Sequence, residues 1–122
     1  MKKTLYGIPN CDTVKKARTW LADNGHDFAF HDFKKQGLDR ETAARWLDGL
    51  DWETLVNRKG TTWRKLDDET RDGLTAANAA ALLSREPSLV KRPVFAYPGG
   101  LAVGFAKADE AAVIGRLRSS VR

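Results

Sequence analysis

The hydrophobic period changes twice within the first 32 residues, and that change restricts the fold more than any other feature. Lys3-Thr4-Leu5-Tyr6-Gly7-Ile8 is apolar or β-branched at most positions, the make-up of a short strand. Pro9-Asn10 interrupts it. From Asp12 to Asn24 the spacing turns helical, with Val14, Ala17 and Leu21 at i, i+3 and i+7. Asn24-Gly25 supplies a stop, glycine being suited to the left-handed position past the last turn. Asp27-Phe28-Ala29-Phe30-His31-Asp32 then alternates as a half-buried strand does. Two strands joined by about a dozen helical residues form a right-handed βαβ unit with the strands parallel.

The middle of the chain is helical and more polar. Leu38-Asp39 opens a segment in which Ala43, Trp46, Leu47 and Leu50 line up, with Asp39 as N-cap. A short turn runs from Asp51 through Leu55-Val56, followed by a basic loop, Asn57-Arg58-Lys59-Gly60-Thr61-Thr62. Thr75 to Leu83 is an alanine-rich helix stopped near Pro87. The period then returns to two. Val94-Phe95-Ala96-Tyr97 and Leu101-Ala102-Val103-Gly104-Phe105 flank Pro98-Gly99-Gly100, a hairpin signal. Ala108 to Leu117 closes the pattern as a helix, with Asp109 and Glu110 in its first turn. The order is β-α-β, a helical insert at about 38–90, then β-β-α. This is the element order of an α/β, thioredoxin-like fold with a mixed sheet. With no repeats and no low-complexity linker, residues 1–122 are expected to form one domain.

Composition narrows the functional classes. The chain has 122 residues, 21 Lys+Arg against 16 Asp+Glu, and one cysteine. That size buries roughly two-thirds of the unfolded surface. No apolar run approaches a membrane span, and the apolar part of the start is too short for a signal peptide. A soluble, cytoplasmic protein is expected. One cysteine excludes an internal disulfide and argues against a multi-cysteine zinc site, and His26 and His31 have no metal spacing. Acids and bases alternate along most of the chain, so an anionic ligand explains the mild positive excess as well as nucleic acid does. With no recognition-helix motif and no concentrated basic stripe, direct nucleic-acid binding is not expected.

Cys11 falls between a strand end and a helix start, at the carboxyl end of a strand, where α/β sheets bind ligands. The first N–H groups of a helix lack internal partners, and the helix dipole adds partial positive charge. A thiolate placed there is stabilised, the setting of reactive rather than structural cysteines. Lys15, four residues on, adds a cation on the same face, while Asp12 opposes it. The alternative, a small buried apolar cysteine, fits poorly with the polar neighbours Pro9, Asn10 and Asp12. Val14 stands three residues after Cys11, so there is no Cys-x-x-Cys. Any redox cycle must therefore pass through a mixed disulfide resolved by an outside thiol, for which glutathione is the cytosolic choice.

Two arginines are the other candidates. Arg92-Pro93 precedes the hairpin, where proline at a strand start is allowed and a cis bond is permitted but not demanded. Arg58 lies in the basic loop with Lys59. Guanidinium groups beside a thiolate would support it and hold carboxylates or an oxyanion in bidentate fashion. The competing readings are a solvated loop for Arg58 and a surface ion pair for Arg92. The four tryptophans are read as packing residues, Trp63 being the least core-like.

The blocks Leu5 to Ala17, Arg58-Lys59-Gly60, Val90-Lys91-Arg92-Pro93-Val94 and Gly100 to Phe105 together resemble the ArsC/Spx family, most closely its YffB-type members. The resemblance covers nearly the whole chain, with the blocks in the family's order. It implies a thioredoxin-like fold with a helical insert and a reductase chemistry using Cys11 as nucleophile. It further implies that Pro93 is a cis-proline opposite the cysteine, and that Arg58 and Arg92 match two oxyanion-holding arginines of glutaredoxin-dependent arsenate reductases. The family's third arginine is absent, since that stretch reads Val103-Gly104-Phe105-Ala106-Lys107, and Gly7 stands near the place of an upstream histidine. Both departures weigh against arsenate reduction.

The leading expectation is a glutathione-dependent thiol-disulfide reductase with no bound cofactor. Cys11 is catalytic; Asn10, Lys15, Arg58, Arg92 and Pro93 bind substrate or glutathione, and glutaredoxin is a further candidate partner. The alternatives are a glutaredoxin-coupled arsenate reductase and a non-enzymatic, Spx-like module that binds RNA polymerase.

Overall fold

The computed structural model describes residues 3–120, Ser120 by its backbone alone. Met1, Lys2, Val121 and Arg122, at the ends of the expected domain, lie outside the described residues. The chain divides into two compact units, one formed by the residues up to Gln36 and from Arg92 onward, the other by Gly37–Lys91.

The first unit carries the sheet. Its elements are β1 (Thr4–Gly7), α1 (Asp12–Asp23), β2 (Ala29–Asp32) and α2 (Phe33–Gln36). The sheet order is β2-β1-β3-β4, where β3 is Val94–Tyr97 and β4 is Gly100–Val103, and a last helix, Lys107–Ser120, follows. β1 pairs parallel with β2 and antiparallel with β3, and β3 pairs antiparallel with β4. The sheet is thus mixed, and the unit has the expected thioredoxin-like order. The core is built from alternate strand positions and the apolar helix faces: Leu5, Phe95 and Ala102 meet Val14, Ala17 and Leu21 of α1 and Val113 and Leu117 of the last helix. Gly25 takes φ +72° just past α1, the stop that Asn24-Gly25 foretold.

Three sequence expectations shift here. The strand expected from Asp27 begins only at Ala29. The one expected to run to Phe105 ends at Val103, because Gly104 turns the chain at φ +90° and sends the Phe105 ring into the core. Gly100 belongs to β4 rather than to the turn, leaving a two-residue Pro98-Gly99 connection with Gly99 at φ +91°. Helix α2 has no periodic run to announce it. It is held by side chains: the Lys34 N–H donates to Asp32 Oδ1 at 2.9 Å, and the Asp32 N–H donates to Gln36 Oε1 at 3.2 Å.

The second unit is helical. It contains α3 (Arg40–Gly49), α4 (Trp52–Leu55), α5 (Thr61–Lys65), α6 (Asp68–Asp72) and α7 (Ala76–Arg85), after which Pro87–Leu89 makes one 3₁₀ turn. The closing helix of the first unit is accordingly α8. α3 packs on α7, burying Ala43 and Trp46 with Ala79, Leu82 and Leu83. Leu47 and Leu50 are only half-buried. Asp39 occupies the N-cap of α3 but makes no capping bond through its side chain. Thr61 and Thr62 open α5 instead of extending the basic loop. No helix among the described residues is long and apolar enough to cross a membrane.

Candidate active site

The turn that carries Cys11 is set by the first strand. After β1 the chain bends through Pro9 and Asn10, both exposed, and the Cys11 N–H donates to the Ile8 carbonyl at 3.4 Å. Cys11 becomes the N-cap of α1 in extended conformation, φ −103° and ψ 122°, and its carbonyl accepts the Lys15 N–H at 2.9 Å. The thiol makes no capping bond to the first turn. It is half-buried, packed against the edge of the sheet core without being sealed beneath it. A sulfur here sits at the positive pole of a twelve-residue helix and remains open to a reaction partner.

Close packing brings α1 to this position. A Cβ built on Gly7 would stand 2.8 Å from Val14 Cγ2, so glycine lets the first turn of α1 settle on the end of β1. The same contact gives a physical reason why no histidine side chain fits there. Val14 is itself fully buried, so the place of a second thiol is part of the core.

Lys15 is exposed one turn along, and among the described residues no ion pair involves it. Lys16 points elsewhere, bonded to Glu110 of α8 at 2.6 Å with its Nζ 5.7 Å from the Phe105 ring centroid.

Arg92 and Pro93 reach the same pole through strand register. Tyr6 pairs with Val94, so continuing one residue sets Pro93 across from Gly7, at the end of β1 that leads into Cys11. The Arg92-Pro93 bond is cis, Pro93 is fully buried and Arg92 is half-buried. On the other side, the Gly104 N–H donates to the Pro93 carbonyl at 2.8 Å. The turn at Gly104 therefore lies at this pole too. The sequence signals the Gly104–Pro93 bond only through the Gly104 that follows β4.

Arg58 belongs to the helical unit, exposed in the turn after α4, with its guanidinium carbon 5.7 Å from the Trp52 ring centroid. The Asn57 side chain shapes that turn by accepting the Lys59 N–H at 3.1 Å. Within this unit Val56 bridges Val90, the Asn57 N–H donates to the Leu89 carbonyl and the Lys91 N–H to the Leu55 carbonyl, both at 2.7 Å. Residues 55–57 are thereby held beside residues 89–91 within the helical unit.

The histidines are elsewhere. His31 stacks obliquely on Tyr6 at 4.7 Å, and His26 stacks on Trp20 at 5.4 Å, near the far end of α1. No group of three or more metal-ligating side chains occurs among the described residues.

The chain as a whole is similar to several known proteins. A solved structure of a protein called YffB is 46% identical, superposes with TM-score 0.83, and is covered over 92% of this chain and 98% of its own. An arsenate reductase (ArsC) related protein from Brucella melitensis is 53% identical with TM-score 0.73, over 93% of this chain and 95% of its own. The global transcriptional regulator Spx of Streptococcus mutans is 30% identical over 106 residues, 84% of this chain and 75% of the regulator. The profile of the ArsC family matches residues 6–113. Since that match runs from Tyr6 in β1 through the whole helical unit to Val113 in α8, the chain belongs to the ArsC family.

Proposed function

We propose that the protein is a glutathione-dependent thiol-disulfide reductase in which Cys11 is the nucleophile. The Cys11 thiolate attacks the glutathionyl sulfur of a mixed disulfide. A Cys11–glutathione disulfide forms, the substrate sulfur–sulfur bond breaks, and the substrate leaves as a thiolate that takes a proton from water. A second glutathione thiolate then attacks the glutathionyl sulfur on Cys11, releasing oxidised glutathione and restoring the Cys11 thiolate. Two electrons pass from the glutathione pair to the substrate, and no second protein thiol is needed. Asn10 and the N–H groups opening α1 support the sulfur. Arg92 and Lys15 hold glutathione carboxylates, Arg58 takes the same role by family resemblance, and the backbone at Pro93 aligns the disulfide.

The observation that carries this reading is a lone, half-buried sulfur at the start of α1, on the sheet pole that also holds Arg92-Pro93. Steady-state turnover of a glutathionylated peptide tests it. Cys11→Ser should abolish turnover, and Arg92→Ala should raise KM for glutathione about tenfold or more, as loss of a charge-assisted contact does. Undiminished turnover in Cys11→Ser ends the proposal.

The identity with a transcriptional regulator supports a second reading, a module that docks on RNA polymerase without chemistry. It predicts a pull-down complex that survives Cys11→Ala. Arsenate reduction is disfavoured by the missing third arginine, and arsenate-dependent, glutaredoxin-coupled turnover would reinstate it.

A further inference from the structure

A concavity lies away from Cys11, between the C-terminal half of α1 and the edge strand β2. Its volume is about 440 Å³, within the roughly 300–1,000 Å³ of small-molecule pockets. Buried Leu5 and Leu21 form part of its lining, together with the half-buried rings of Phe28 and Phe30. The Arg18 guanidinium carbon lies 4.4 Å from the Phe30 ring centroid. Among the described residues no hydrogen bond or ion pair engages its five N–H donors. Lys3 Nζ stands 5.8 Å from the Phe28 centroid, placing a second cation beside the opposite ring. His26 also lines the cleft and feels the charges of Lys3 and Arg118. Asp27 is the only acid among the lining residues.

We infer that this cleft is a binding site for a small organic anion bearing an aromatic ring. Leu5, Leu21, Phe28 and Phe30 supply apolar surface for the ring, and Arg18, held over Phe30, receives the anionic group in its fork. Arg18 in the lining and Lys3 beside Phe28 outnumber the one lining acid, Asp27, and so favour negative charge over a neutral or cationic body. The site is chemically separate from the cysteine. Arg18 follows Cys11 by seven residues along α1, about 10 Å of helix rise.

The probe is anilinonaphthalene sulfonate, an aromatic sulfonate, titrated into the full chain and monitored by fluorescence, with uncharged phenyl-naphthylamine in parallel. The expected result is saturable binding of one sulfonate dye per chain. Arg18→Glu should weaken it about tenfold or more, the scale of one charge-assisted contact, while Cys11→Ser leaves it unchanged. By NMR the His26 ring signals should shift on dye addition and those of His31 should not. Equal binding of the uncharged dye would overturn the proposal, as would binding insensitive to Arg18→Glu or the absence of saturable binding. Retained glutathione turnover in Arg18→Glu would separate this site from the redox centre; loss of turnover would overturn that separation.

Discussion

At the scale of single residues, the chemistry rests on what stands beside Cys11 in sequence and in space. Its placement was legible: a β-rich run, a Pro-Asn break and a helical period leave the cysteine at the helix start. The reason α1 sits so close was not legible, because nothing in the local sequence reveals that Gly7 faces Val14. Gly7→Ala forces a methyl to within 2.8 Å of Val14 Cγ2, and overpacking of this kind costs about 1–3 kcal/mol. A lower urea midpoint with an unchanged slope is the expected readout, and an unchanged midpoint would mean that Val14 yields freely. Arg92 stands out in the sequence by the proline after it, and continuing the β1–β3 register sets that proline across from Gly7. Arg58 was legible only as a basic loop residue, since a turn gives no periodicity from which to infer direction.

At the scale of elements, length decided what the sequence disclosed. Helices α1, α3, α7 and α8 span ten to fourteen residues, enough for an apolar stripe to repeat. Helices α2, α5 and α6 have four or five residues, too few to show a period, and went unforeseen. Their signals are local polar contacts, such as Asp32 and Gln36 around α2 or the Arg71–Asp68 pair within α6. The start of α7 shows what such contacts are worth. Asn78 Oδ1 accepts the Thr75 N–H at 2.8 Å, and its Nδ2 donates to the Gly73 carbonyl at 2.9 Å. Asn78→Ala removes both bonds at an exposed position and should lower stability by about 1 kcal/mol in chemical denaturation. Alternation that continues back into Phe28 predicts a longer edge strand than the Ala29–Asp32 of β2, and the Phe28 ring packs edge-on against Phe95 at 6.2 Å.

At the scale of the whole molecule, charge connects stability to pH. Burial, then the charges of Lys3 and Arg118, hold the His26 imidazole below its ordinary range. The unfolded chain therefore binds this proton at a higher pH, near about 6.5, than the folded one. As pH falls through that value the unfolded state gains protons first, so stability declines until the folded imidazole also protonates. His26→Gln should flatten this part of the pH–stability curve below about pH 7, measured as thermal midpoint against pH. A variant that follows the parent curve would remove His26 as the cause.

The redox account has one direct test: intact-mass spectrometry of the protein mixed with a glutathionylated peptide and then chased with reduced glutathione. The account predicts a single glutathionyl group on Cys11 that forms and disappears at rates compatible with turnover. Peptide reduction with Cys11 unmodified throughout, or an adduct that glutathione fails to remove, would contradict it.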